Sequence, residues 1–430
     1  MSDVRPNGYL PRVVDGVVDR YLRLFGAILI EGTKWCGKTW TSREHAQSIV
    51  YVDREQNAEI ARADPESMLM GPRPRVIDEW QAAPEIWNAT RHAVDDLGRD
   101  RGAWILTGSA SPSHDSSRHS GAGRFGRIRM FPMSLLESGD STGEVSLSGL
   151  FRGEFACTGT EGVGFEKVVE LVCRGGWPQV LGLPLQDARA ISRQYLNAVL
   201  DESVPNAGKS AETARRLLYS LARNLGQSAT YKTLAVDMSG GEEGEYGIAS
   251  TTIPQYLDLF RSMFLTEDIR GWAPAARSPK RLQTKPKRYF ADPSLAVAAL
   301  GMGDKALRSD WQTLGLAFEN LCLRDLLVYA SALPDIGSEP VRYYRDDSGL
   351  EVDAIIELAD GRWAAIEIKL SHDKAADGLD NLARLKKKLV DKPGARTPEP
   401  EFMAVVTGIG GRAYRAGERM YVIPITALGA

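Results

Sequence analysis

The segment from Gly32 to Thr39, with the sequence GTKWCGKT, constrains the fold of this chain more than any other part of it. It follows the apolar run 27–31 and precedes a helical pattern over 38–48. A glycine-rich loop between a strand and a helix can surround a phosphate with backbone N–H groups, at the positive end of the helix dipole. The alternative is a glycine-rich turn with a chance lysine, but the flanking strand and helix favour phosphate binding. The residues predicted to bind a nucleotide are Gly32, Thr33, Lys34, Trp35, Cys36, Gly37, Lys38 and Thr39.

A second apolar run supplies the acids that a nucleotide hydrolase needs beside such a loop. We expect Lys38 to contact the β- and γ-phosphates and Thr39 to bind Mg²⁺ through its hydroxyl. The run RVIDEW ends in Asp78, which would hold the metal through water, and Glu79, which would orient and deprotonate the attacking water. A surface pair of acids is the alternative interpretation of Asp78 and Glu79.

Two other polar positions are candidates for contact with the γ-phosphate. Ser109 or Thr107, at the end of WILTGSA, is predicted to sense it, with ordinary turn chemistry as the alternative. Arg124, in GAGRFGR, is predicted to stabilise the charge that develops during phosphoryl transfer. If Arg124 acts on a neighbour's nucleotide, the protein must form a homo-oligomer. A solvated basic loop is the alternative, and the competing arginines are Arg118, Arg127 and Arg129.

The first part of the chain alternates apolar runs with helical patterns, which predicts an α/β fold with a mostly parallel sheet covered by helices. The segment 107–125 has little to bury and is predicted to be a mobile loop. The helical patterns cover about 38–48 and 84–97. The predicted strands are 27–31, 48–53, 75–78, 103–108 and 127–131.

The 430 residues are enough for several domains, and three regions differ in their pattern of helical and strand-like segments. We predict an ATPase-like domain over 1–150, a helical domain over 151–290 and an α/β domain over 291–430. In the middle region two short helical patterns precede two strand-like runs, an order typical of a winged helix-turn-helix. The basic stretch from Arg277 to Arg288 falls where the wing would be, so DNA is a candidate partner, with a solvated loop as the alternative.

The last region contains two strand-like runs, EVDAIIEL and WAAIEIKL, around the turn 359–361. In that hairpin the paired residue numbers sum to 720, so Asp353 faces Glu367 across the strands, and Lys369 shares their face. Two carboxylates so close need a cation, and Glu319 on a preceding helix offers a third acid. The set predicts a metal site of Glu319, Asp353 and Glu367, with Glu367 and Lys369 catalytic in phosphodiester cleavage. A solvent-facing charged strand is the equal alternative.

Several of these motifs together resemble a large group of prokaryotic AAA-type P-loop ATPases that carry a C-terminal domain of unknown function. The first half of the resemblance lies in GTKWCGKT, VIDEWQAAPEIW, ILTGSA, SGAGRFGR and FPMSLLE, and the second half in GGWPQ, YFADPSLA and GLAFENL. EVDAIIEL followed by AAIEIKLS is similar to a restriction-endonuclease-like PD-(D/E)xK core, with Val352 in place of the usual proline. The resemblance implies an additional-strand ATPase fold that uses ATP and Mg²⁺, a winged-helix-like middle and a nuclease-like end.

Composition excludes several classes of protein. A net charge of −3 excludes a chain that is basic throughout, so any DNA contact must use local patches. Four scattered cysteines argue against a disulfide framework, and neither a signal peptide nor a membrane span is evident, so we expect a cytoplasmic protein. The leading hypothesis is an ATPase coupled to nucleic-acid recognition or metal-dependent DNA cleavage. The alternative is an ATP-dependent switch or protein-interaction module without nuclease activity.

Overall fold

The computed structural model describes residues 4–109, 122–239, 251–275, 277–392, 394 and 396–430. Internal contacts divide the chain into two units, the first reaching to Pro132 and including Ser262–Phe264, the second comprising Met133–Arg261 and Leu265–Ala430. The predicted division into three domains stays a prediction. Most of the predicted mobile loop 107–125, with Arg118, and the glycine- and glutamate-rich stretch 240–247 lie outside the described residues. No helix in the described part of the chain is long and apolar enough to cross a membrane.

The first unit is a three-layer α/β structure around a parallel sheet, as predicted. The sheet has the order β2-β3-β4-β1-β5, with every neighbouring pair parallel. Strand β4 is therefore inserted between β1 and β3, which is the additional-strand arrangement. The elements are α1 (Asp15–Leu24), β1 (Ala27–Gly32), α2 (Lys38–Glu44), β2 (Ser48–Tyr51), α3 (Glu55–Ala63), β3 (Arg75–Asp78), α4 (Glu85–Asp96), β4 (Trp104–Gly108) and β5 (Phe125–Met130).

Strand β1 shows why this sheet needs helices on both faces. Its residues alternate between two hydrophobic clusters, with Leu29 packed among residues such as Trp87 and Ile28 packed with Val18 of α1. Both faces are apolar, as is typical of a parallel sheet covered on two sides. The carboxyl ends of β1, β3 and β4 meet at one edge, where the predicted site residues follow them.

The middle of the chain is mainly helical and ends in a two-stranded antiparallel sheet of β8 and β9. Two short helices, α10 and α11, precede these strands, in the order that predicted a winged helix; the winged-helix assignment itself stays a prediction. The elements are β6 (Val145–Ser146), α5 (Leu147–Phe151), β7 (Thr158–Val163), α6 (Phe165–Arg174), α7 (Leu185–Ala198), α8 (Val204–Asn206), α9 (Ala211–Arg223), α10 (Tyr231–Met238), α11 (Ile253–Ser262), β8 (Thr266–Ile269), α12 (Lys280–Gln283) and β9 (Lys287–Phe290).

The last part of the chain begins with helices and then forms a mixed sheet of order β10-β11-β12-β13-β14. Strands β11 and β12 are antiparallel, and Ala354 pairs with Ile366, which confirms the predicted hairpin register. Strands β12, β13 and β14 are parallel. The elements are α13 (Pro293–Ala299), α14 (Asp304–Ser309), α15 (Trp311–Ser331), β10 (Arg342–Arg345), β11 (Glu351–Glu357), β12 (Trp363–Ser371), α16 (Ala375–Leu389), β13 (Phe402–Gly417), β14 (Met420–Pro424) and β15 (Leu428–Gly429).

A fully buried ion cluster lies in the core of the second unit. The Arg324 guanidinium of α15 lies 2.8 Å from Asp292 and 2.7 Å from Asp325, and all three side chains are at most 1% exposed. Asp292 also accepts a hydrogen bond from the Gly176 amide at 2.9 Å, and Asp325 accepts one from the Leu135 amide at 3.0 Å. Residues of FPMSLLE, GGWPQ and YFADPSLA thus meet at one arginine. Packing and buried polar contacts therefore hold these three motifs together in the fold.

Candidate functional site

The phosphate-binding loop lies between β1 and α2 and depends on backbone conformations that favour glycine. Gly37, the residue before α2, has a φ of 103°, and Trp35 has a φ of 65°. A Cβ atom on Gly32 would lie 2.1 Å from the Met130 carbonyl oxygen of β5. Glycine is therefore required at 32 by the neighbouring strand and at 37 by the turn into the helix.

Lys38, the second lysine of this loop, is buried, and its ammonium group is hydrogen-bonded to the loop backbone. Lys38 is 5% exposed, and its Nζ donates to the carbonyl oxygens of Gly32 at 3.1 Å and Thr33 at 2.8 Å. The ammonium group thus donates hydrogen bonds to two neutral acceptors of the loop backbone. A phosphate oxygen can replace either acceptor and form a stronger, charge-assisted hydrogen bond.

An N-terminal segment that sequence reasoning missed holds this loop. Arg12 is 7% exposed and donates to the carbonyl oxygens of Cys36 and Phe131, both at 2.8 Å. Tyr9 shares a hydrogen bond with the Thr41 hydroxyl of α2 at 3.0 Å and donates to Asp15 at 2.7 Å. Arg12 and Tyr9 are therefore positioning residues for the loop and its helix. No motif marks them, because their partners are backbone carbonyls and a helix hydroxyl.

His45 links α2 to α1 and makes this anchoring dependent on pH. Burial disfavours the imidazolium, but hydrogen bonds and charge attraction from Asp15 and Asp19 outweigh it and raise the pKa of His45 above its ordinary value of 6.5. The contacts are 3.2 Å to Asp15 and 2.9 Å to Asp19.

We expect His45→Gln to reduce the free energy of unfolding by about 1 kcal/mol at pH 6. A group with a raised folded pKa contributes fully below its unfolded pKa, and the contribution is lost as pH rises through the folded value. The difference between wild type and variant in urea unfolding should therefore be largest below pH 6.5 and shrink toward pH 9. A difference that grows with pH would contradict this.

The carboxylate of Asp78 lies where the ends of three elements converge. Asp78 is 6% exposed, and its Oδ1 accepts the Thr39 hydroxyl at 2.9 Å and the Thr107 hydroxyl at 2.5 Å. Burial raises the pKa of Asp78, and the two hydroxyls oppose that rise. A carboxylate and a threonine hydroxyl in contact at the start of the loop helix are the oxygen donors that suit Mg²⁺ bound to a nucleotide. The residues present therefore fit that ion.

Glu79 lies next to Asp78 at the same edge, and its carboxylate has its own hydrogen-bond donors. It has a left-handed φ of 53°, and its amide donates to the Thr107 hydroxyl at 3.3 Å. The Ser109 hydroxyl donates to Glu79 Oε2 at 3.3 Å, and the Gln81 amide donates to the same oxygen. The two predicted sensors thus serve different acids, Thr107 joining Asp78 and Ser109 joining Glu79. Gln81 was missed because a glutamine two residues after an acid has no distinguishing pattern.

Arg124 lies at the opposite edge of the sheet from the phosphate-binding loop. It precedes β5, whose first residue pairs with Ala27 at the start of β1, whereas Gly32 pairs with Met130. Five residues of strand separate the two edges by roughly 16 Å. Arg124 instead forms an ion pair with Asp95 at 2.6 Å. This placement does not fit an action on the nucleotide of its own chain, so the predicted role requires a second copy and stays a prediction.

Residues 25–138 match the family model of the AAA domain, which spans the loop, both acids and the sensor strand. This part of the chain is a P-loop ATPase domain of the AAA type. Residues 165–306 and 314–428 match two other family models, each described as a domain of unknown function. The resemblance to AAA-type ATPases with a C-terminal domain of unknown function is thereby confirmed, whereas the winged-helix and nuclease-like assignments stay predictions.

Comparison with solved structures adds nothing further to the identification of the ATPase domain. The Walker-type ATPase Paby2304 of Pyrococcus abyssi is 13% identical, with 70% of this chain and 98% of that chain covered and a TM-score of 0.45. The replication initiator DnaA bound to AMPPCP and single-stranded DNA is 12% identical, with 58% and 86% covered and a TM-score of 0.25. No curated protein matches the chain.

Outside the ATPase domain, the predicted acidic site of the C-terminal hairpin does assemble. Asp353 of β11 and Glu367 of β12 share a face with Lys369, whose Nζ bonds Glu367 and lies 3.9 Å from Asp353. Asp353 also accepts the Ile368 amide at 2.9 Å. Burial, together with the charge of Asp353, raises the pKa of Glu367 to about 7. Burial and Asp353 have the same effect on Glu319 of α15.

The cluster also contains a cation that sequence reasoning did not place there. Lys287 of β9 is 4% exposed, and its Nζ lies 2.6 Å from Glu351, 3.4 Å from Glu319 and 3.8 Å from Asp353. Within the described ranges, no set of three or more His, Cys, Asp or Glu side chains is arranged to hold a metal ion. The predicted ligands are thus together, but a resident divalent metal does not fit their arrangement.

The basic stretch from Arg277 to Arg288 is partly used inside the chain. Arg281 makes two hydrogen bonds to Glu357, at 2.8 and 3.0 Å. Lys287 and Arg288 are 4% and 7% exposed, so both are buried. The cations of the stretch that face solvent are Arg277, Lys280 and Lys285.

Proposed function

We propose that the ATPase domain hydrolyses ATP with Mg²⁺, and that the rest of the chain responds to the nucleotide state by recognising nucleic acid. The observation that carries the ATPase assignment is the convergence of Thr39, Asp78 and Glu79 beside the phosphate-binding loop. The ends of two strands, β1 with its following loop and β3, bring these groups to one edge of the sheet. Such an edge is where open parallel sheets bind ligands.

Each residue of this edge has a distinct task in the proposed reaction. The backbone N–H groups of the loop and the Lys38 ammonium bind the β- and γ-phosphates. Thr39 and Asp78 would hold Mg²⁺, which when bound would neutralise charge on those phosphates. Glu79 accepts a proton from the attacking water, and its carboxylate is oriented by Ser109 and Gln81. The proton therefore leaves through a carboxylate that is already held in place.

The Ser109–Gln81–Glu79 contacts also support a switch. A γ-phosphate that attracts the Ser109 hydroxyl weakens its bond to Glu79, so the geometry of the base reports whether triphosphate is bound. Loss of the γ-phosphate restores the original contacts. A switch of this kind needs only slow turnover.

Steady-state Mg²⁺-dependent ATP hydrolysis by the full chain, beside Lys38→Ala, tests the ATPase proposal. We expect turnover by wild type and none by the variant, because Lys38 is the buried lysine proposed to contact the β- and γ-phosphates. Adding single- or double-stranded DNA tests the coupling, which predicts a changed rate. Equal turnover by wild type and Lys38→Ala would overturn the assignment.

The proposal of nucleic-acid recognition is supported by the order of α10, α11, β8 and β9 and by the solvent-facing cations between the strands. We expect the triple variant Arg277→Ser, Lys280→Ser and Lys285→Ser to bind a DNA duplex more weakly. The slope of log affinity against log salt should fall by about 1 for each phosphate contact removed. Fluorescence anisotropy from 50 to 200 mM salt measures both quantities.

A matched triple variant controls for net charge. Lys374→Ser, Lys387→Ser and Lys392→Ser also remove three exposed cations, from a surface outside the β8–β9 segment. We expect this control to keep the wild-type slope. An equal loss of slope in both variants would show that only overall charge matters.

We favour recognition without cleavage over a metal-dependent nuclease. The C-terminal hairpin has the carboxylates and lysine of a nuclease-like site, but Lys287 lies 3.8 Å from Asp353 and Lys369 bonds Glu367. No cleavage step is proposed for this arrangement. The favoured form of the function is therefore an ATP-dependent regulatory switch.

A further inference from the structure

The carboxylate cluster of the second unit is assembled from three separate parts of the chain. Glu351 and Asp353 come from β11, Glu367 from β12 and Glu319 from α15. Lys287 reaches them from β9, which precedes all of these elements in sequence. Four acids and the ammonium groups of Lys287 and Lys369 therefore share one partly buried site.

The ammonium of Lys287 is held by geometry on several sides. It contacts three carboxylates within 3.8 Å, and only 5% of its side chain is exposed. It also lies 5.5 Å from the centre of the Tyr343 ring, in reach of a cation–π contact. A lysine in such surroundings stays charged, because the carboxylates replace the water that it has lost.

Other side chains also donate to these carboxylates. The Tyr289 hydroxyl donates to Glu319 at 2.5 Å, from the same strand as Lys287. The Asn381 amide of α16 donates to Glu367 at 2.7 Å, and Lys369 bonds the second oxygen of Glu367. Glu319 and Glu367 thus already accept hydrogen bonds from donors of the chain itself.

A divalent metal bound by Glu319 and Asp353 would compete with this lysine for oxygens of both carboxylates. Mg²⁺ or Mn²⁺ needs carboxylate oxygens at about 2.0–2.2 Å, drawn together around the ion. An ammonium at hydrogen-bond distance keeps those oxygens farther apart, and Lys287 and Lys369 together supply two positive charges, as many as one divalent ion. Expelling a buried ammonium would also leave it without partners, which is costly.

We propose that Lys287 is a resident cation of this carboxylate cluster, beside Lys369, and keeps divalent metal ions out of it. The nuclease-like hairpin is therefore held without metal as long as β9 is docked. This inference concerns the second unit and does not depend on ATP hydrolysis.

Binding of Mn²⁺ to the full chain without nucleotide, followed by electron paramagnetic resonance, tests the proposal. All proteins carry Asp78→Asn, so that the nucleotide site contributes no binding. We expect no stoichiometric Mn²⁺ binding with Lys287 present. Lys287→Gln should bind one Mn²⁺ at least tenfold more tightly, and adding Asp353→Asn should abolish that gain. Lys280→Gln, which removes an exposed cation of the same basic stretch, should behave like the parent.

Two results would overturn the proposal. One is Mn²⁺ binding by the parent that Asp353→Asn removes, since Lys287 would then not exclude metal. The other is a folded Lys287→Gln protein that binds no Mn²⁺. Should Lys287→Gln fail to fold, Lys287→Arg takes its place, because it keeps the charge and should fold without binding Mn²⁺. The comparison of the parent with its Asp353→Asn variant remains available, and Mn²⁺ binding that Asp353→Asn removes would still overturn the proposal.

Discussion

Replacing Glu79 by glutamine should lower the rate of ATP hydrolysis by about 10²- to 10⁴-fold while leaving ATP binding within a few-fold of wild type. A positioned general base typically contributes that much, and glutamine cannot accept the proton from water. Glutamine keeps the length of the side chain and can still bond Ser109. The phosphate-binding groups are contributed by Lys38 and the loop backbone, which this change does not touch.

Single-turnover hydrolysis and titration with a fluorescent ATP analogue separate the two effects for Glu79→Gln. Glu85→Gln is the matched control, because Glu85 is an exposed acid in the first turn of α4 with the same change of charge. We expect the control to hydrolyse ATP at the wild-type rate. Loss of ATP binding in Glu79→Gln, or turnover within threefold of wild type, would remove Glu79 from the role of base.

The meeting of Thr39, Asp78 and Glu79 at one edge of the sheet was largely predictable because these residues lie at or shortly after the ends of strands. Once β1, β3 and β4 are parallel neighbours, their carboxyl ends must meet, and Thr39, Asp78 and Glu79 meet with them. The hairpin register was predictable for a similar reason, since a short turn fixes which residues face each other. Local sequence controls both arrangements.

Arg12, Gln81 and Lys287 could not be found in the same way. Arg12 donates to backbone carbonyl oxygens, and because every residue has one, no sequence pattern identifies its partners. Lys287 lies 64 residues before Glu351 in sequence, and only the packing of β9 beside the hairpin brings them together. Contacts between distant segments depend on tertiary structure that periodicity and spacing do not encode.

The basic stretch shows how such contacts change an interpretation. Six cations between Arg277 and Arg288 form a dense positive run in the sequence. In the fold, Arg281 pairs with Glu357, while Lys287 and Arg288 are buried. The exposed positive charge is therefore about half of what the sequence suggests, and the expected salt slope falls accordingly.

The second large effect is expected in stability, from Arg324→Met. The substitution keeps the length of the side chain but leaves Asp292 and Asp325 buried without their shared cation. Breaking a buried ion pair from one side typically costs about 3–5 kcal/mol. Both acids keep other donors, the amides of Gly176 and Leu135, so the loss should fall within that range and not exceed it.

Urea unfolding followed by circular dichroism measures the loss, and two further variants interpret it. Arg216→Met removes an exposed arginine paired with Glu212 and should leave the unfolding midpoint unchanged, since exposed pairs contribute little. Adding Asp292→Asn to Arg324→Met should recover part of the lost free energy, because it removes one of the two uncompensated charges. Equal stability of wild type and Arg324→Met would mean that the carboxyl groups are neutral in the folded protein.

Burial already raises the pKa of Asp325, against the opposing effect of Arg324, so the single variant should also lose less stability at pH 5 than at pH 8. That pH dependence distinguishes an uncompensated charge from a cavity, whose cost would not vary with pH.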